Sequence, residues 1–150
     1  MAPIVSTIEV ARPPEEVYRY VTDPSRFAEW QPDVVRVDSA AGPLGVGARF
    51  TTVRRISGTE RTIVQEVTEA RPVTSWVTHG VDGPIRPHAV VTIEPLSGGA
   101  GSRVTFSLDY EGHGIGVPLI PLVRRLTRGQ APKSYQNLKN LLEGGSADPE

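Results

Sequence analysis

The sequence predicts one α+β domain: a seven-stranded antiparallel sheet, two short helices after its first strand, and a long C-terminal helix. Three observations carry that prediction. Short runs of alternating apolar residues recur from Val34 to Glu111, separated by turn residues rather than helices, as in an antiparallel meander. One earlier alternating run, Ile4 to Val10, is cut off from them by two helix-like patterns. Finally, Val117 to Glu143 carries its apolar residues at helical spacing.

Taken in order, Ile4, Ser6, Ile8 and Val10 share one side of a strand over 3–11. Pro13 and Pro14 suit a first helical turn, and Glu15 and Glu16 complement its positive end. Val17, Tyr20 and Val21 give that helix its apolar face. Asp23 then reads as an N-cap with Pro24 behind it, and Phe27 and Trp30 as the anchors of a second short helix. The meander follows as Val34–Asp38, Arg49–Ile56, Thr59–Glu69, Val73–His79, Ile85–Pro95 and Ser102–Glu111. Ser57-Gly58 is its clearest hairpin turn.

The C-terminal helix carries a conflict. Leu119, Leu122, Val123 and Leu126 centre on one direction of a helical wheel, and Tyr135, Leu138, Leu141 and Leu142 on another roughly 120° away. Pro132 lies between the two sets, and an interior proline costs about 3 kcal/mol and usually kinks a helix. A kink or break between Arg128 and Lys133 is therefore expected, letting both stripes meet one sheet.

At 150 residues, with 38% hydrophobic content, the chain can bury one core, and we expect a single domain over 1–143 with a disordered tail over 144–150. A formal net charge of −1 offers no footprint for nucleic acid. The absence of cysteine removes disulfides, thiolate metal sites and cysteine nucleophiles, and fits a reducing cytoplasm. Met1 to Ser6 lacks the features of a signal peptide. Ile115 to Val123, the most apolar stretch, is about half of the roughly 20 residues a membrane span needs. A soluble, cytoplasmic protein is the expectation.

Ile8, Val10, Pro14, Glu16, Val17, Tyr18, Tyr20, Val21, Asp23 and Trp30 together resemble the opening of the START-like (SRPBCC) superfamily, in its polyketide cyclase/dehydratase and lipid-transport branch. Gly101-Ser-Arg-Val-Thr-Phe106 looks like that family's G-T-x-V-T lead-in to the final strand, with Ser102 in place of threonine. The resemblance implies a helix-grip fold, in which the sheet curves around the long helix and leaves a cavity between them. It further implies one elongated or aromatic apolar ligand there, a lipid-like or polyketide-like molecule, and no cofactor.

Alternation places Phe106, Leu108 and Tyr110 on the inner face of the last strand, and Ala89, Val91 and Ile93 on that of the strand before it. Tyr110 is the best polar candidate, because a phenol can donate to a ligand carbonyl or act as a general acid. The alternative, a core tyrosine bonded to a backbone carbonyl, is the more common role for such a residue. Trp76 could stack on a flat ligand or simply fill the core. Arg54 and Arg55 put one guanidinium on each face of the sheet, and parity does not choose between them; Arg55 is taken as the inward, catalytic candidate. Leu119, Leu122, Val123 and Leu126 would close the cavity from the helix, with Ile120 off their stripe. That apolar turn could instead gate the cavity, hinged at Gly112 to Gly116, or contact a second subunit.

His79, His88 and His113 are the only groups suited to a neutral-pH proton shuttle. His79 and His113 lie near strand ends, where a cavity mouth could be, and His88 reads as outward-facing. Their spacing matches no metal motif, so no metal site is expected. No G-x-S-x-G turn or phosphate-binding loop is present either. Three functions follow. A carrier or sensor for a small hydrophobic molecule comes first, and a polyketide aromatase/cyclase or dehydratase using Tyr110 and an inward arginine second. The third is an interaction module that forms a homodimer.

Overall fold

The structure, a computed structural model, describes residues 3–144. Seven strands form one sheet: β1 (Ile4–Val10), β2 (Val34–Asp38), β3 (Arg49–Ile56), β4 (Thr59–Arg71), β5 (Ser75–Asp82), β6 (Ile85–Leu96) and β7 (Gly101–Gly112). Helices α1 (Pro14–Val21) and α2 (Phe27–Trp30) follow β1, and α3 (Ile120–Gly144) ends the described chain. The expected tail otherwise falls on residues 145–150, outside the described residues.

The strand order is β1-β7-β6-β5-β4-β3-β2. Each neighbour from β2 to β7 is also the next in sequence, joined by short turns except for the longer segment 39–48 between β2 and β3. The first strand closes it by pairing antiparallel with the last, from Ile4 opposite Leu108 to Val10 opposite Ser102. Ser57 and Gly58 take φ of +53° and +79°, the double positive that a tight two-residue hairpin needs. The Asp23 carboxylate accepts from the Ser25 N–H at 3.1 Å and caps a 3-10 turn at Pro24–Arg26 that leads into α2. Strands β4 and β5 bulge between Val67 and Glu69, which adds twist to the sheet.

Helix α3 lies over the concave face, packed on β1, β7 and α2. It is helical through Pro132, so of the kink or break expected between Arg128 and Lys133 the break is absent. The stripe it buries explains why. Arg124, Ala131, Tyr135, Leu138 and Leu142 follow one another at seven, four, three and four residues and are all buried, with Val123 and Ser134 beside them. The polar members of that stripe conceal it from a wheel weighted by apolar residues alone. Leu122 and Leu126, half-buried, lie on its flank.

The core holds Val10, Val17, Val21, Phe27, Trp30, Phe50, Val67, Trp76, Val104, Phe106, Tyr135 and Leu138. Phe27 packs edge-on against Trp30, Phe50 and Trp76 at ring-centre distances of 5.8, 5.7 and 6.5 Å. The two short helices therefore plug one end of the curved sheet with aromatic rings.

Candidate functional site

Between the concave face of the sheet and α3 lies a cavity of about 140 Å³. That is close to the roughly 150 Å³ of an apolar cavity that admits one benzene-sized ring. Its walls follow the inward side of each strand: Phe50, Arg54 and Ile56 from β3, Ile63 and Gln65 from β4, Trp76 and Thr78 from β5, Ala89 and Val91 from β6, and Phe106, Leu108 and Tyr110 from β7. Val123, Leu126, Thr127, Ala131, Ser134 and Tyr135 line it from α3, and Trp30 and Asp33 from the segment before β2. Phe106 stacks on Tyr135 at 4.1 Å with planes 11° apart, and Trp30 leans against both, giving one wall a flat aromatic surface.

The structure thus brings together most of the residues singled out from sequence: Trp76, Val91, Phe106, Leu108, Tyr110, Val123 and Leu126. His79, Leu119 and Leu122 are not among the lining residues. His79 alternates with Trp76 and Thr78 and so faces outward, where its ring lies 4.7 Å from that of His88. Leu119 and Leu122 line a separate depression with Ile56, Ser57, Thr59, Arg61, Ile85 and Val123. His113 is bonded to Glu111 at 2.7 Å and half-exposed.

Of the two arginines, Arg54 is the inward one. It shares the parity of Phe50 and pairs with Asp33 at 3.1 Å, both side chains less than a fifth exposed. Arg55 touches the cavity rim, but its guanidinium reaches Glu60 at 3.0 Å with 60% of the side chain exposed. Strand parity allowed either assignment; the acid waiting in the turn before β2 decides it.

Tyr110 donates to or accepts from Thr127 at 2.7 Å. Burial pushes its phenol up, Asp33 adds to this, and Thr127, Arg54 and Arg124 act against it. Tyr135 is pushed up too, first by burial and then by Tyr110. Both phenols are neutral donors at neutral pH, poorly suited to act as bases. Gln65 and Thr78, both buried on the inner face, bond each other at 2.9 Å. The Trp76 indole N–H donates to the Leu44 carbonyl at 3.0 Å. The Trp30 indole N–H is buried and finds no acceptor among the described residues.

Sequence reasoning missed Asp33, Gln65, Thr78, Thr127, Ser134 and the polar use of Tyr135. For α3 a signal existed, because Thr127, Ala131, Ser134 and Tyr135 continue the stripe of Leu138 and Leu142 toward the N-terminus. Asp33 carried none, since a loop acid has no period to betray its direction.

Residues 1–143 match the protein family described as polyketide cyclase / dehydrase and lipid transport. The chain belongs to this family. None of the curated proteins matches it. Among solved structures, the family member is similar to TTHA0849 from Thermus thermophilus, with 21% identity and a TM-score of 0.77 over 96% of this chain and 99% of that one. A START superfamily protein from Mycobacterium smegmatis aligns at 19% identity and a TM-score of 0.73, over 95% and 99% of the two chains. The di-domain ARO/CYC BexL from the BE-7585A biosynthetic pathway aligns at 21% identity and a TM-score of 0.68, over 93% of this chain and 46% of that one. At these identities the likeness establishes the shared helix-grip fold. Among the described residues, no helix is long and apolar enough to cross a membrane.

Proposed function

We propose that this family member binds one small hydrophobic molecule, of about one ring in width and bearing a hydrogen-bond acceptor, as a carrier or sensor. The observation that carries this reading is the pairing of the cavity's polar groups with one another. Arg54 is met by Asp33, Tyr110 by Thr127, and Gln65 by Thr78, so these six side chains have partners without a substrate. Neutral phenols and an indole N–H with no acceptor among the described residues leave donors rather than bases, which suits a carbonyl or ether oxygen on the ligand.

Native mass spectrometry of freshly purified protein tests this reading. A retained apolar molecule, released on denaturation, is the expected result. A bare chain that also takes up no single-ring or fused-ring carbonyl compound would sink it.

A second reading, an aromatase/cyclase or dehydratase, is favoured by one observation: Tyr110, Tyr135 and Arg54 are within electrostatic reach of each other in one cavity. In that reading Arg54, in place of Arg55, would polarise a substrate carbonyl, and the Tyr110 phenol would donate a hydrogen bond to the same oxygen. Turnover of an accepted polyketide-like substrate that survives both Tyr110→Phe and Arg54→Ala unchanged would rule it out.

A further inference from the structure

All three histidines of the chain stand on or beside the convex face of the sheet, away from the cavity. Sequence spacing hides this, because they sit on three different segments; strand register reveals it. His79 on β5 lies directly opposite His88 on β6. Both alternate with cavity-lining neighbours, Thr78 on one strand and Pro87 and Ala89 on the other, so both imidazoles point outward.

We propose that His79 and His88 form a two-imidazole site for a divalent late transition-metal ion, with Cu²⁺ held most tightly. An ion about 2.0–2.1 Å from one nitrogen of each ring places the ring centres about 4.5–5 Å apart when the two ligands are cis. The observed separation is 4.7 Å, with the ring planes tilted by 36°. Directly opposed residues of an antiparallel pair hold that spacing through the backbone, so little side-chain order has to be gained on binding.

The neighbouring carboxylates define the rest of the site. Glu66, opposite His79, is engaged by Arg49 at 3.0 Å, and Asp109, opposite His88, is engaged by Arg124. No third histidine or acid stands close enough to complete a metal cage among the described residues. Water therefore fills the remaining positions, and a neutral bis-imidazole site of this kind follows the order of affinities in which Cu²⁺ exceeds Zn²⁺ and Ni²⁺. Glu111 adds favourable charge: its carboxyl is held below the usual range by its bond to His113, and His79 lies within its electrostatic reach. Arg86, opposite Glu111, opposes this, although its guanidinium donates to the Gly83 carbonyl at 3.0 Å. The proposal does not depend on the cavity, which lies on the other side of the sheet.

Titrating the full chain with Cu²⁺, followed by calorimetry and electron paramagnetic resonance, decides the matter. One Cu²⁺ per chain with two nitrogen ligands is expected, and His79→Ala and His88→Ala are each expected to weaken binding by roughly tenfold or more. His113→Ala is expected to bind as the parent does. Uptake falls in acid, because protons compete for the same nitrogens. Thermal melts of each variant without metal report whether it folds, and His79→Gln replaces any that does not. Binding of unchanged strength in the double variant, or no uptake by the parent at micromolar Cu²⁺, would overturn the proposal.

Discussion

Removing the Arg54 guanidinium strands the Asp33 carboxylate, whose side chain is only 17% exposed. Arg54→Ala is therefore expected to lower stability by about 1–3 kcal/mol. Arg55→Ala gives up a solvated pair with Glu60 and is expected to stay within about 0.5 kcal/mol of the parent. Urea unfolding of the two variants measures the difference, and equal losses would contradict the assignment of Arg54 as the inward residue. Tyr110→Phe removes the partner of Thr127 and is expected to cost about 1 kcal/mol while weakening any ligand that presents an acceptor to the phenol. At this scale the sequence placed Arg54 and Arg55 on opposite faces of the sheet and Tyr110 on the face of Phe106. The identity of the inward arginine depends on Asp33, twenty-one residues away in a turn, and no local pattern reports such a contact.

The elements were legible because each has a period and a boundary. Prolines and Asp23 mark the starts of α1 and of the turn before α2, and Ser57-Gly58 marks the β3–β4 hairpin. The expected break in α3 is absent because its packed stripe changes character, from Leu138 and Leu142 to half-buried Thr127 and buried Arg124, where it meets the cavity and β7. Pro132 is exposed and contributes a missing N–H rather than packing. Pro132→Ala is thus expected to raise stability by about 1–3 kcal/mol in urea unfolding; a loss would mean that the proline sets a bend on which the helix contacts depend. In the segment before α3, Gly116 packs against the β5–β6 turn, since a Cβ there would lie 1.8 Å from the Pro84 carbonyl oxygen. Gly116→Ala is expected to destabilise the chain and displace this segment from the β5–β6 turn, seen as amide shifts confined to residues near 84 and 112–120.

Across the whole molecule, all four tyrosines have phenols raised above their ordinary value of 10.0, each chiefly by burial. The folded chain therefore holds its phenolic protons more tightly than the unfolded chain. This contribution to stability is intact below pH 10 and is lost as pH rises beyond it, because the unfolded chain ionises first. Phenolate absorbance is expected to appear only together with loss of near-ultraviolet circular dichroism; an earlier rise would show that the cavity tyrosines are open to hydroxide. The central claim, a ligand cavity between sheet and α3, is tested most directly by the two indole N–H resonances of the protein. Trp30 and Trp76 are its only tryptophans and both line the cavity, the first indole with no acceptor among the described residues and the second bonded to Leu44. In a two-dimensional ¹⁵N–¹H spectrum titrated with acetophenone, one ring with one carbonyl, both signals are predicted to move saturably at one ligand per chain. The Trp30 signal should move farther, and Ala89→Phe, which fills the cavity, should abolish both shifts. Two indole signals that stay fixed, or that move equally in Ala89→Phe, would contradict a ligand cavity at this place.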